Sequence, residues 1–166
     1  MEGSGKRVVS MRLLLVDRLT DIIPWTSACA TKLVSASEDF VQAGKDGRYM
    51  PRGLVLECAF QAAAWLIVIS SSLKLRPAIL SVSGVRWFCE VRPGDRVESR
   101  VQILQHDDNM AEVAGQSFVG NTKILEVGNG LCALLPTSEL DSPGAAEWMI
   151  KQITRPQNGG ICAERS

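Results

Sequence analysis

The sequence predicts an α+β fold in which an antiparallel sheet wraps one long central helix. Two observations carry this. Residues 54–69 read LVLECAFQAAAWLIVI, the most apolar stretch of the chain, broken only by Glu57 and Gln61. A helix apolar on nearly every side must be covered on nearly every side. After Ser72, by contrast, four segments favour strands and are separated by the turn signals RPGD, HDDN and GN, the pattern of an antiparallel meander. A curved sheet can cover most of such a helix, and a second copy of the domain can finish the covering.

Residues 1–11 read as a flexible lead, and residues 13–16 form a short apolar segment that ends at Asp17. After Pro24, TSACATKLVSAS alternates small or apolar residues with polar ones at period two, which predicts a strand with one exposed face. AGKDGRYMPRG is dense in Gly, Pro and charge and reads as a loop. Pro51 then stands where a helix can start, because its missing N–H is not needed there. Strands are expected over residues 80–91, 96–105, 110–119 and 123–134, with Gly120-Asn121 as a two-residue hairpin turn. The tail has one amphipathic patch, 145–153, followed by a frayed end. The expected organisation is a lead over 1–11, one domain over 12–140, and a short helix with tail over 141–166. A length of 166 residues suits one domain with a substantial core.

Lys plus Arg equals Asp plus Glu at 18 each, so no global charge argues for nucleic acid or an anionic membrane as partner. Cys29, Cys58, Cys89, Cys132 and Cys162 are dispersed and odd in number, without CxxC spacing. That pattern fits neither a disulfide framework nor a zinc site, and a cytoplasmic location is expected. The run 54–69 falls short of the roughly 20 apolar residues of a membrane span and carries two polar groups, so a buried helix is expected rather than a span. No phosphate-binding glycine loop, metal-ligand spacing or Ser/His/Asp set is present, and neither cofactor nor metal is expected.

Glu57 and Gln61 are four residues apart and share one helix face. A carboxylate in an apolar wall is costly to ionise, which suits it to proton transfer. A Glu serving the positive end of the helix is the plainer alternative.

A helix held between an N-terminal strand and a meander is the hot-dog architecture. LLLVDRLTDIIP at 13–24, MPRGLVLECAFQAAAW at 50–65 and VRPGDRVESRVQIL at 91–104 resemble, in order and spacing, the three best marked stretches of the FabZ-type β-hydroxyacyl-acyl-carrier-protein dehydratases. The similarity spans about residues 12–135, and the helix block is its most specific part. The resemblance implies a homodimer, or a dimer of dimers, with an acyl tunnel at the interface. It also implies a histidine and a glutamate from opposite subunits that convert a 3-hydroxyacyl thioester into the trans-2-enoyl thioester. Glu57 matches the glutamate and Gln61 the glutamine one turn later. The histidine is missing: the family's GHFPG-like loop is AGKDGRYMP here, one residue shorter, with Ala43 or Gly44 at its position.

Asp46 and Tyr49, in that same loop, are candidate replacement acids or bases. Gly53 and the loop around Gly47 can keep the backbone N–H groups that polarise the thioester carbonyl in the family. Lys45, Arg48 and Arg52 are candidates for an acyl carrier protein's acidic helix or its phosphopantetheine phosphate, with solvated loop charge as the alternative. Phe60 and Trp65 are expected in the core or tunnel, and Trp87 and Phe88 in an interface strand. Cys58 points away from Glu57 and is expected in the core. His106, the only histidine, lies in the HDDN turn far from the expected site.

Three readings follow. One is a dehydratase working with Glu57 and an altered loop. Another is a silent hot-dog subunit that binds acyl chains or forms a heterodimer with a His-containing homologue. The third is an acyl thioesterase whose helix carboxylate directs water.

Overall fold

The computed structural model describes residues 13–139 and 143–156. The expected lead over 1–11 and the end of the tail lie outside the described residues. A six-stranded antiparallel sheet runs in the order β1 (Arg18–Ile23), β2 (Ser27–Leu33), β6 (Arg96–His106), β7 (Met110–Val119), β8 (Thr122–Pro136), β5 (Leu75–Trp87). A small hairpin of β3 (Gln42–Gly44) and β4 (Gly47–Tyr49) precedes helix α1 (Arg52–Ser70), and a second helix, α2 (Pro143–Ile153), follows β8. The sheet wraps α1, which packs against β2, β5, β6 and β7.

Period-two burial on β2, β6 and β7 turns Ala28, Ala30, Val97, Val101, Ala111 and Val113 toward the helix. From α1, Leu66, Ile67 and Val68 are fully buried, each contributing roughly 1.5–3 kcal/mol by area. By length and composition alone α1 would pass for a membrane span. Its apolar surface is instead used on the sheet, as expected for 54–69. Gly130 makes this packing possible, because a Cβ there would stand 2.6 Å from the Phe60 ring.

The turns follow the local chemistry. Gly120 takes a φ of +57°, and Val119 pairs with Thr122 across Gly120-Asn121. In HDDN, Asp107 Oδ1 accepts the Asn109 and Met110 N–H groups at 2.7 and 2.8 Å. In RPGD, Gly94 N–H donates to the Val34 carbonyl and Val34 N–H to that of Asp95, which ties the turn to the end of β2.

Some boundaries differ from expectation. β1 was not expected, because residues 18–23 hold a bulge and Asp21 at φ +50° that break the period-two pattern. The stretch expected as a strand to residue 37 leaves the sheet at Leu33. The region expected as a loop contains β3 and β4, and α1 starts one residue after Pro51, which occupies the cap position. The strand expected over 80–91 runs instead over Leu75–Trp87. The strand accommodates Pro77 because β5 lies at the sheet edge, where one missing donor is tolerated.

Candidate functional site

Gly53, Glu57, Gln61 and Ala64 form a stripe on α1 at helical spacing, and none of them is buried. This is the face the sheet leaves uncovered. The first turn of α1 carries no acidic residue, so Glu57 does not serve the helix end. Gln61 fixes it instead. Its Nε2 donates to Glu57 Oε1 at 3.0 Å and to the Leu13 carbonyl at 2.8 Å, while its Oε1 accepts the Leu15 N–H at 2.8 Å. The amide therefore binds the entering chain to the helix and orients the carboxylate.

Glu57 opens into a cavity of about 210 Å³, whose other walls are Phe60, Gln61, Ala63, Ala64, Ile67, Pro77, Ile79 and Cys132. One carboxylate and one amide stand in an otherwise apolar groove between α1 and β5. A second cavity, about 260 Å³, lies at the start of α1 and is lined by Tyr49, Met50, Arg52, Val55, Trp87, Cys89, Glu90 and Val91. Tyr49 O–H donates to Gln42 Oε1 at 3.1 Å, and Arg52 sits 5.9 Å from the Trp87 ring centre. No side chain caps α1, and a Cβ on Gly53 would meet nothing within 4 Å, so open space adjoins its backbone.

Of the residues singled out in the sequence, Glu57, Gln61 and Phe60 line the first cavity, and Tyr49, Arg52 and Trp87 the second. Asp46 lies at the exposed tip of the β3–β4 hairpin between Gly44 and Gly47, with Lys45 beside it. Ala43 pairs with an exposed Arg48, and Gly47 makes the turn at φ +113°. Trp65 is buried under Arg76, and Phe88 is exposed with Lys123 over its ring. His106 is the last residue of β6 rather than part of the turn, and stacks on Trp25 at 4.2 Å between ring centres. Glu90 was missed in the sequence, since a single charge before RPGD looks like any solvated strand end.

Burial pushes the Cys58 thiol up to about 12, with the Glu57 and Asp17 carboxylates adding to it and Lys32 opposing. Lys32 is itself buried, which works against its charge. Its bond to Glu38 at 2.7 Å and the Asp17 and Glu38 carboxylates outweigh this and hold its pKa above the ordinary lysine value. Both shifts are upward, so both contributions to stability are complete below the unfolded-state values and are lost as pH rises. For Cys58 the window runs from 9.0 to about 12, a loss of roughly 4 kcal/mol at most. Thermal melts from pH 8 to 11 should therefore show a falling midpoint, less steep in Cys58→Ala. Parallel slopes for the two proteins would remove Cys58 as a cause.

No family profile matches the chain. Individual relatives do. The chain is 33% identical over 111 residues to the 3-hydroxyacyl-[acyl-carrier-protein] dehydratase FabZ of Lactiplantibacillus plantarum, covering 66% of this chain and 76% of that protein. It is 31% identical over 117 residues to FabZ of Myxococcus xanthus, covering 68% and 76%. Among solved structures it is similar to smu.793 of Streptococcus mutans bound to acetyl-CoA, with TM-score 0.60, 11% identity and coverage of 78% and 97%. It is equally similar to the dehydratase heterocomplex ApeI:P of Xenorhabdus doucetiae, with TM-score 0.60, 14% identity and coverage of 76% and 86%. The fold is thus a hot-dog fold, the class of the sheet wrapped around α1. Within that class, the chain belongs to the FabZ family of 3-hydroxyacyl-[acyl-carrier-protein] dehydratases, as a divergent member without a histidine at residues 43–44.

Proposed function

We propose that this chain acts on acyl thioesters as a dehydratase-type enzyme, with Glu57 as its acid or base and two copies joined along β5. The groove that starts at Glu57 and continues between apolar walls carries this reading. It offers one ionisable group to a reacting head and an apolar slot to a chain. Open backbone at Gly53 suits a thioester carbonyl. Arg48 and Lys45, exposed on the hairpin, suit the acidic surface of an acyl carrier protein. Fatty-acid or related lipid or polyketide biosynthesis in the cytoplasm is the setting this implies.

The edge of β5 supports the dimer. It is 13 residues long, pairs among the described residues only with β8, and exposes Ile79, Leu80 and Val82 at 47, 57 and 37%. A long apolar edge of this kind is a template for strand pairing. The opposite edge, β1, is short and bulged and lies against α2.

Mass spectrometry of a (3R)-3-hydroxyacyl carrier protein incubated with the purified chain tests the reaction. Loss of water supports dehydration, and release of the free acid supports thioester hydrolysis instead. Binding without turnover supports a second reading, a silent subunit that pairs with a His-containing homologue. The tight β3–β4 hairpin at the family's histidine position favours that reading.

The hairpin also yields a prediction. A Cβ on Gly44 would stand 2.9 Å from the Tyr49 ring, whereas Ala43 already carries its Cβ and is exposed. Ala43→His should therefore raise dehydration, by up to about 10²-fold, and Gly44→His should not. Equal rates for both variants and wild type would mean that residue 43 does not face the reacting atoms.

A further inference from the structure

Dehydration needs a second proton-transfer group beside Glu57, and the cavity at the start of α1 has four ionisable walls, Tyr49, Arg52, Cys89 and Glu90. Of its ionisable walls, Arg52 is a permanent cation and cannot accept a proton. The Tyr49 O–H donates to Gln42 Oε1 in the hairpin. Cys89 has no histidine beside it to activate it. Glu90 remains. Among the described residues it makes no hydrogen bond or ion pair, and it is exposed. The antiparallel bridge Met50↔Val91, with Met50 N–H donating to the Val91 carbonyl at 2.8 Å, sets Glu90 opposite Pro51, where α1 begins. Tyr49 continues from there into the hairpin that holds Ala43 and Gly44.

We propose that Glu90 is the second acid–base residue of the site and does the work of the absent histidine. This rests on the dehydratase reading above. The Glu90 carboxylate takes the proton from the carbon next to the thioester carbonyl. The C–O bond at the 3-position breaks, and the hydroxyl leaves as water with the proton of the partner subunit's Glu57. The electron pair left by the first proton becomes the new C=C bond. Return of the proton from Glu90 to the partner subunit's Glu57 through water resets the site.

The test is turnover of a (3R)-3-hydroxyacyl N-acetylcysteamine thioester by the full chain, followed by ultraviolet absorbance of the enoyl product. Glu90→Gln should lower kcat by about 10²–10⁴-fold with KM nearly unchanged and abolish the acid limb of the pH profile. Glu90→Asp should restore part of the rate. Full turnover in Glu90→Gln alongside an inactive Glu57→Gln overturns this inference and leaves the dehydratase reading standing. Equal losses in Glu90→Gln and Glu90→Asp with an unchanged pH profile also overturn it, because they mark a structural role at the helix start. A wild-type protein inert on the thioester overturns both the inference and the reading it rests on.

Discussion

Glu57→Gln should reduce turnover of a 3-hydroxyacyl thioester by about 10²–10⁴-fold while leaving the fold intact. The amide has nearly the shape of the carboxylate, and the Gln61 Nε2–H that bonds Glu57 Oε1 at 3.0 Å can bond an amide oxygen equally well. The brace from Gln61 to Leu13 and Leu15 is untouched. Only the proton is lost. Circular dichroism and melting should match wild type, since the hydrogen bond from Gln61 is kept. A variant that keeps the wild-type rate would remove Glu57 from every mechanism proposed for this chain. A variant with a collapsed melting midpoint would make its role structural. Gln61→Ala differs in kind, because it frees the entering chain as well as the carboxylate and should cost stability and rate together.

Placing lysines on the open edge, as Leu80→Lys with Val82→Lys, should convert the proposed dimer to a monomer and abolish turnover. Both side chains are exposed in the single chain, so the substitution leaves the buried core in place. What it changes is the edge: two cations facing their symmetry copies repel, and lysine is the residue natural sheets use to block edge pairing. The catalytic loss should be nearly complete, because the proposed site takes Glu57 from one subunit and its cavity at the start of α1 from the other. Light scattering with circular dichroism reads the result. A wild type that is already a stable folded monomer at micromolar concentration would sink the β5 dimer. A doubly substituted protein that stays dimeric and active would place the interface elsewhere.

Both predictions depend on features the sequence displayed unevenly. The apolar run with Glu57 and Gln61 inside it determined a buried helix with one polar face, because only sheet on several sides satisfies such a helix. The turns at HDDN and Gly120-Asn121 were equally legible, since side-chain oxygens and a positive φ act within a few residues. The resemblance to FabZ rested on contiguous blocks and could be read without coordinates. Tertiary structure alone decided that Gln61 is a brace to Leu13 and Leu15, because that contact crosses more than 40 residues. It alone placed β5 from Leu75 through Pro77 at an open edge, where a missing donor is harmless. Glu90 shares a cavity with Tyr49 and Arg52 only because the Met50↔Val91 bridge joins two segments about 40 residues apart. Local pattern records what a residue does to its own stretch of backbone. Which side chains meet across the fold depends on strand pairing and helix placement, and no short window of the sequence contains either.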